Sequence, residues 1–194
     1  MAWYSDESSE LIELFNRINW PLSQKSKTVG MLLPGFILSY NMTTAIEVGI
    51  WNAFMTEVIG FSLELSCGKQ GLLLSCDNRR PPCDRAERRG KSIQITHKVI
   101  CEDSQLVDWE KHLDGRKADI VFIDGNHSYE TVSKDLAKCA PCVKNGGFIF
   151  MHDYFTQGVK QAVDKFLRIH KWPMMILPAN RISGDTRSVF MQKP

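Results

Sequence analysis

A chain of 194 residues, 43% hydrophobic and 24% charged, has the length and composition of one soluble globular domain, too polar for a bundle of membrane spans and too apolar for a disordered tail. Its net charge of +2 is too mild to argue for nucleic acid as a partner. The opening MAWYSDESSELIELF mixes acidic and apolar residues where a secretory signal needs a basic segment and an apolar core, so a cytoplasmic location is expected.

Apolar residues at three- and four-residue spacing predict helices over Ser8–Ile18 and Val29–Tyr40, together an N-terminal helical segment (1–42) that packs on the rest. No charge occurs between Lys27 and Glu47, yet Pro34, Asn41 and several hydroxyls interrupt that stretch, so it reads as buried rather than membrane-spanning. From there short apolar runs alternate with helical patterns. Strands are predicted at Ala45–Ile50, Leu72–Cys76, Ile93–Cys101, Ile120–Ile123, Phe148–Met151, Met174–Leu177 and Val189–Met191. Helices are predicted at Ala53–Leu65, Ser104–Leu113, Ser128–Val143 and Gln157–His170. Parallel neighbours need crossovers, so the repeat of strand and helix predicts an α/β fold with a mostly parallel sheet covered on both faces. Only PANRISGDTRS joins the last two runs, which predicts an antiparallel pair at one edge.

The segment NRRPPCDRAERRGK carries six basic residues against two acidic, and reads as a solvated loop or as a flap for an acidic substrate. Cys67, Cys76, Cys83, Cys101, Cys139 and Cys142 are scattered and read as reduced thiols. The Cys139-Ala-Pro-Cys142 pair has a redox spacing, but it stands at the wrong end of its helix and fits core packing better. Zinc on Cys76, Cys83, His97 and Cys101 matches no familiar ligand spacing. Trp51, Trp109 and Trp172 read as core or pocket walls.

Ligands of open α/β sheets bind outside the carboxyl ends of the strands, and here those ends are acidic. The first run enters Glu47-Val48-Gly49; the others end at Asp77, at Glu102-Asp103, at Asp124 and at His152-Asp153. Gly49 permits close backbone approach before a helix N-terminus, Asp77 stands where an acid accepts both ribose hydroxyls, and Asp103 is placed to accept from an adenine amine or to cap the helix expected from Ser104. Neither G-x-G-x-x-G nor G-x-x-x-x-G-K-[ST] is present, which disfavours a pyrophosphate. A nucleoside joined to a carboxylate fits better, and S-adenosylmethionine is such a molecule.

AIEVGIWNAF, FIDGNHSYETVSKDL and NGGFIFMHDYFTQGVKQAVDKF together resemble the class I S-adenosylmethionine-dependent methyltransferases, within them the small O-methyltransferases of the cephalosporin hydroxylase-like and macrocin O-methyltransferase-like type. The resemblance runs from Ala45 to Phe166. It implies a Rossmann-like doubly wound sheet of seven strands with an antiparallel last strand. It also implies cofactor contacts from Glu47, Gly49, Asn52, Asp77, Asp103, Ser104 and Asp124, and a divalent cation, magnesium or manganese, on Asp124, His152 and Asp153. His127 stands at the position of the general base, with Asp124 beside it in catalysis, and Asp135 reads as a structural or solvated acid. One departure stands in the first motif, where the family has a second glycine and this chain has Ala53, a change expected to weaken cofactor binding.

The reaction so implied is metal-assisted O-methylation of a small-molecule hydroxyl, at a site that is open or completed by a second copy in a homodimer. A non-catalytic S-adenosylmethionine- or nucleotide-binding module is the alternative that Ala53 suggests. A nucleic-acid methyltransferase lacks support, because no N-P-P-Y-type motif is present.

Overall fold

The computed structural model describes residues 12, 16–18, 24–177 and 188–194. Most of the helix expected over 8–18 and of the link before the last strand lies outside them, although Asn16 and Arg17 are helical. The described elements run α1 (Gln24–Ser39), β1 (Thr44–Val48), α2 (Phe54–Cys67), β2 (Leu72–Cys76), α3 (Arg80–Arg89), β3 (Thr96–Ile100), α4 (Trp109–Leu113), β4 (Ala118–Ile123), α5 (Tyr129–Cys139), β5 (Val143–Met151), α6 (Gln157–His170), β6 (Met174–Ile176) and β7 (Val189–Gln192).

The seven strands form one sheet in the order β3-β2-β1-β4-β5-β7-β6, parallel from β3 to β5, with β7 antiparallel to both β5 and β6. The expected fold class is therefore observed: a doubly wound, Rossmann-like sheet that is mostly parallel with an antiparallel last strand. Chain order reverses between β1 and β4, whose carboxyl ends consequently feed loops away from each other and open a crevice.

Side chains alternate across the sheet and build a core on each face. Ile46, Leu74, Val121, Ile123 and Ile149 meet Val132, Leu136, Val159, Val163 and Phe166 of α5 and α6 on one face. Ala45, Leu73, Ile120, Phe122 and Phe150 meet Leu33 and Ile37 of α1 and Phe54, Val58 and Phe61 of α2 on the other. Each such large side chain contributes on the order of 2 kcal/mol through burial, so the strand ends rest on a rigid base. Near the amino end, Arg17 forks onto Glu64 of α2 at 2.9 and 3.2 Å.

Three expectations are corrected. The basic segment after Asp77 is not a solvated loop but contains helix α3, started by Pro81 and Pro82 in its first turn and anchored by buried Pro82, Cys83 and Ala86. The helix expected from Ser104 forms only from Trp109, because Asp103 turns back to accept the Gln105 amide at 3.0 Å and the cap falls to Asp108, which accepts from Lys111 N at 3.1 Å. Strand β5 starts at Val143 rather than Phe148, its exposed polar first half hiding it from a search for apolar runs. Among the described residues, no helix is long and apolar enough to cross a membrane.

Candidate active site

At the carboxyl ends of the central strands lies a cavity of about 440 Å³, lined by Val48, Gly49, Trp51, Asp77, Arg79, Glu102 to Gln105, Asp124 to Asn126 and Asp135, among others. Its size falls in the range of small-molecule sites. Of the residues singled out from the sequence, Gly49, Asp77, Asp103, Ser104 and Asp124 line it, whereas Glu47 and Asn52 do not.

Gly49 has φ +92°, and a Cβ there would collide with the Asp124 carbonyl. Its glycine is thus required for β1 to pass close to β4, a reason inside the protein rather than in a ligand. Glu47 is fully buried one step earlier, accepting from Thr56 Oγ1 at 2.8 Å. Burial pushes its carboxyl up to about 7, against the hydrogen bonds of Ser75 and Thr56. Asn52 accepts the Phe54 amide at 3.0 Å and shapes the turn into α2. Ala53 takes the left-handed conformation, φ 60°, that explains a glycine at this position; its methyl is buried with Ile50, Cys83 and Ala86 rather than facing the cavity.

Asp77 closes the loop from below. Its Oδ2 accepts the amides of Ile50 at 3.1 Å and Trp51 at 3.4 Å, and its Oδ1 accepts Arg79 N at 3.0 Å and Nε at 3.1 Å. Burial works against the charge, but the Arg79 and backbone donors outweigh it and hold the carboxyl below its usual range. The Arg79 side chain over Asp77 is 61% exposed. At the far wall, Ser104 donates to Asp135 Oδ1 at 2.6 Å; Asp135 is buried, and desolvation pushes it up to about 6.

The segment FIDGNHSYE places its acid and imidazole at the other end of the cavity. His152 Nδ1 lies 3.2 Å from Asp124 Oδ1 and 3.3 Å from Asp153 Oδ2, and His127 Nε2 lies 3.7 and 3.4 Å from the same two oxygens. Neither nitrogen has hydrogen-bond geometry to a partner although both are buried, so two imidazoles and two carboxylates converge without a hydrogen bond between them. Among the described residues, Asp124, His152 and Asp153 are the one group of three or more whose ligand atoms lie within 4.8 Å of each other. That donor set fits a divalent cation, whereas Cys76, Cys83, His97 and Cys101 form no such group, His97 being bonded to Ser75 at 3.0 Å.

As the cluster stands, charge holds it together. Burial favours neutrality at His152, but Asp124 and Asp153 outweigh it and push the imidazole up to about 10. Asp124 likewise raises His127. Burial opposes the charge of Asp124 itself, but the two histidines outweigh it and lower the carboxyl. His127 is left to the cluster because the next residue caps the helix: Ser128 Oγ accepts the Thr131 amide at 3.3 Å. Asp153 has φ 53°, a conformation that Asp tolerates better than most residues. Sequence reasoning missed Gly158, where a Cβ would collide with the His127 carbonyl; its glycine lets α6 begin against the loop carrying His127, and the only signal was the Gly-Val after a strand end.

Other candidates recede. Cys139 and Cys142 are buried thiols whose pKa values burial raises, unlike a redox pair. Two of the four arginines of α3 are paired with acids, Arg80 with Asp84 and Glu87 and Arg89 with Glu57, and Arg85 donates to the Trp51 carbonyl. Trp109 and Trp172 are core, and Trp51 is 60% exposed in the cavity wall.

The chain belongs to the methyltransferase-domain family, whose model matches residues 46–154, more than half of its length. No curated protein matches it in sequence. Among solved structures, the O-methyltransferase of Bacillus cereus in complex with S-adenosylhomocysteine aligns with a TM-score of 0.68 at 13% identity, covering 96% of this chain and 91% of that one. TomG of Streptomyces achromogenes, an O-methyltransferase involved in tomaymycin synthesis and solved with S-adenosylmethionine, aligns at 0.66 and 12% over 98% and 91%. The Podospora anserina methyltransferase PaMTH1, bound to S-adenosylhomocysteine, aligns at 0.66 and 9% over 95% and 88%. The fold is thus that of the S-adenosylmethionine-dependent methyltransferases.

Proposed function

We propose that this chain transfers the methyl group of S-adenosylmethionine to a hydroxyl oxygen of a small molecule, with a divalent cation held by Asp124, His152 and Asp153. The observation that carries the reading is that Asp124 belongs to both places: it lines the cofactor-sized cavity and supplies the oxygen nearest to His152 in the cation cluster. A methyl donor in the first and an acceptor oxygen at the second would meet at one side chain. The likeness to two O-methyltransferases supports oxygen as the acceptor atom.

In this reading Asp77 holds the ribose, and the Asp103-Ser104 turn holds the base. A cation at the cluster would lower the pKa of a bound hydroxyl and fix its oxygen. One imidazole beside two carboxylates suits manganese or a similar borderline ion better than magnesium. His127 receives the hydroxyl proton as the oxygen takes the methyl and the carbon–sulfur bond breaks, leaving S-adenosylhomocysteine. A cation there would offset the charges of Asp124 and Asp153, the groups that raise His127, and so would favour an imidazole able to accept a proton.

Transfer of labelled methyl groups to a panel of phenols and alcohols tests this. Turnover is expected with manganese and to vanish after chelation. His127→Ala should lower turnover by about 10²- to 10⁴-fold while leaving S-adenosylmethionine affinity nearly unchanged. Equal loss of turnover and affinity would remove His127 from the role of base.

A further inference from the structure

Two thiols stand behind the walls of the cavity. Cys101 directly follows β3 and is exposed, whereas Cys83 is buried in α3. Continued past Ile100, the alternation of β3 puts Cys101 on the same face of the sheet as Val99, and Val99 packs against the small cluster of Ile50, Ala53, Cys83 and Ala86. The backbone of Asp77 links the two places: its amide donates to the Ile100 carbonyl at 3.2 Å, and its carbonyl accepts from Cys83 Sγ at 3.4 Å. Cys83 and Cys101 are therefore neighbours. Burial raises the Cys83 thiol, and the adjacent Cys101 raises it further.

An exposed thiol beside a buried one is the arrangement of an oxidant-sensitive pair, in which the first sulfur meets the oxidant and the second closes the disulfide. Cys139 and Cys142 differ, since both are buried. Each thiol of the first pair is also tied to a different wall of the cavity. Cys101 leads into Glu102 and Asp103, which line it, while Cys83 bonds the Asp77 carbonyl and packs with Ile50 and Ala53 of the turn after β1. A disulfide bond is only about 2 Å long, so closing it draws the Glu102-Asp103 turn toward α3 and takes Cys83 Sγ off the Asp77 carbonyl.

We propose that Cys101 and Cys83 form an oxidation site whose disulfide, made by hydrogen peroxide and undone by a thiol reductant, weakens ligand binding in the cavity. Cys101 Sγ takes one oxygen of the peroxide as the oxygen–oxygen bond breaks, giving a sulfenic acid and one water. Cys83 Sγ then attacks that sulfur; the sulfur–oxygen bond breaks, and the hydroxyl leaves with the Cys83 proton as a second water. Two thiols lose two electrons and the peroxide gains them. The disulfide itself depends on no ligand, whereas its effect on S-adenosylmethionine rests on the reading above.

Two measurements on the purified protein test the proposal. After peroxide treatment, alkylation and digestion, mass spectrometry reads the Cys83–Cys101 linkage; calorimetric titration reads S-adenosylmethionine affinity before oxidation, after it and after dithiothreitol. The linked peptides are expected, with affinity about tenfold weaker in the oxidised protein and restored by reduction. Cys101→Ser should bind like reduced wild type and keep its affinity through peroxide treatment, which separates the disulfide from oxidation elsewhere. Thiols that stay unlinked would overturn the site, and a linkage that leaves affinity unchanged would overturn its effect on the cavity. Reduced protein that binds no S-adenosylmethionine would refute the cofactor reading and the effect on affinity together, while a linkage seen in that protein would still establish the oxidation site.

Discussion

At the scale of single residues, burial sets chemistry that a side chain's name does not. The sequence predicts a cofactor contact for Glu47, but the residue sits sealed beneath the β1 turn with Oε1 lacking a partner, and its carboxyl is raised to about 7. An acid raised in the folded state binds more protons folded than unfolded between its ordinary value and the raised one. Its contribution to stability is therefore greatest below about 4.5 and is lost as pH rises through about 7. Glu47→Gln, which stays neutral, should remove that part of the decline, leaving the variant more stable than wild type at pH 8 by a few kcal/mol and close to it at pH 4. Urea unfolding at the two pH values measures the difference; parallel behaviour of the two proteins would show that Glu47 is charged in the fold. Gly49 and Gly158 show the reverse dependence, since the groups that exclude a Cβ are the backbones of Asp124 and His127, far away in sequence.

At the scale of elements, the turn from β1 to α2 explains how alanine is tolerated at position 53. Ala53 in a left-handed conformation costs roughly 1–2 kcal/mol relative to glycine. Its buried methyl contributes about 0.8 kcal/mol, and alanine also lowers the freedom of the unfolded chain by about 0.4–1 kcal/mol. These offset one another, so Ala53→Gly is expected to change unfolding free energy by less than about 1 kcal/mol and leave S-adenosylmethionine affinity unaltered. Chemical denaturation and calorimetry check both, and tighter binding in the variant would mean that the methyl reaches the ligand after all. The elements themselves were legible where their pattern was apolar. β2 and α6 stand at their predicted limits because Leu72–Cys76 is a continuous buried run and Gln157–His170 has a clear amphipathic stripe. α3 was not legible, because RPPCDRAERR buries only Pro82, Cys83 and Ala86, and its two prolines read as loop although they suit a helix start.

Across the whole molecule, the parallel sheet explains why so much of the candidate site was legible. Every central strand ends at the same rim, so acids at strand ends in sequence become neighbours in space: Asp77, Asp103 and Asp124 line one cavity, and Asp124, His152 and Asp153 one cluster. What sequence could not supply were the partners that arrive from across the rim, such as Asp135 beneath Ser104 and Arg79 over Asp77, because those pairings depend on loop geometry. The sharing of Asp124 between cavity and cluster is the central claim, and it makes cofactor and cation binding interdependent. Calorimetric titration with S-adenosylmethionine, first in chelator and then in manganese, tests it most directly. Saturable binding whose affinity changes about fivefold or more on adding manganese, with the change abolished in Asp124→Ala, is the predicted result. No binding under either condition, or an affinity indifferent to manganese, would contradict it.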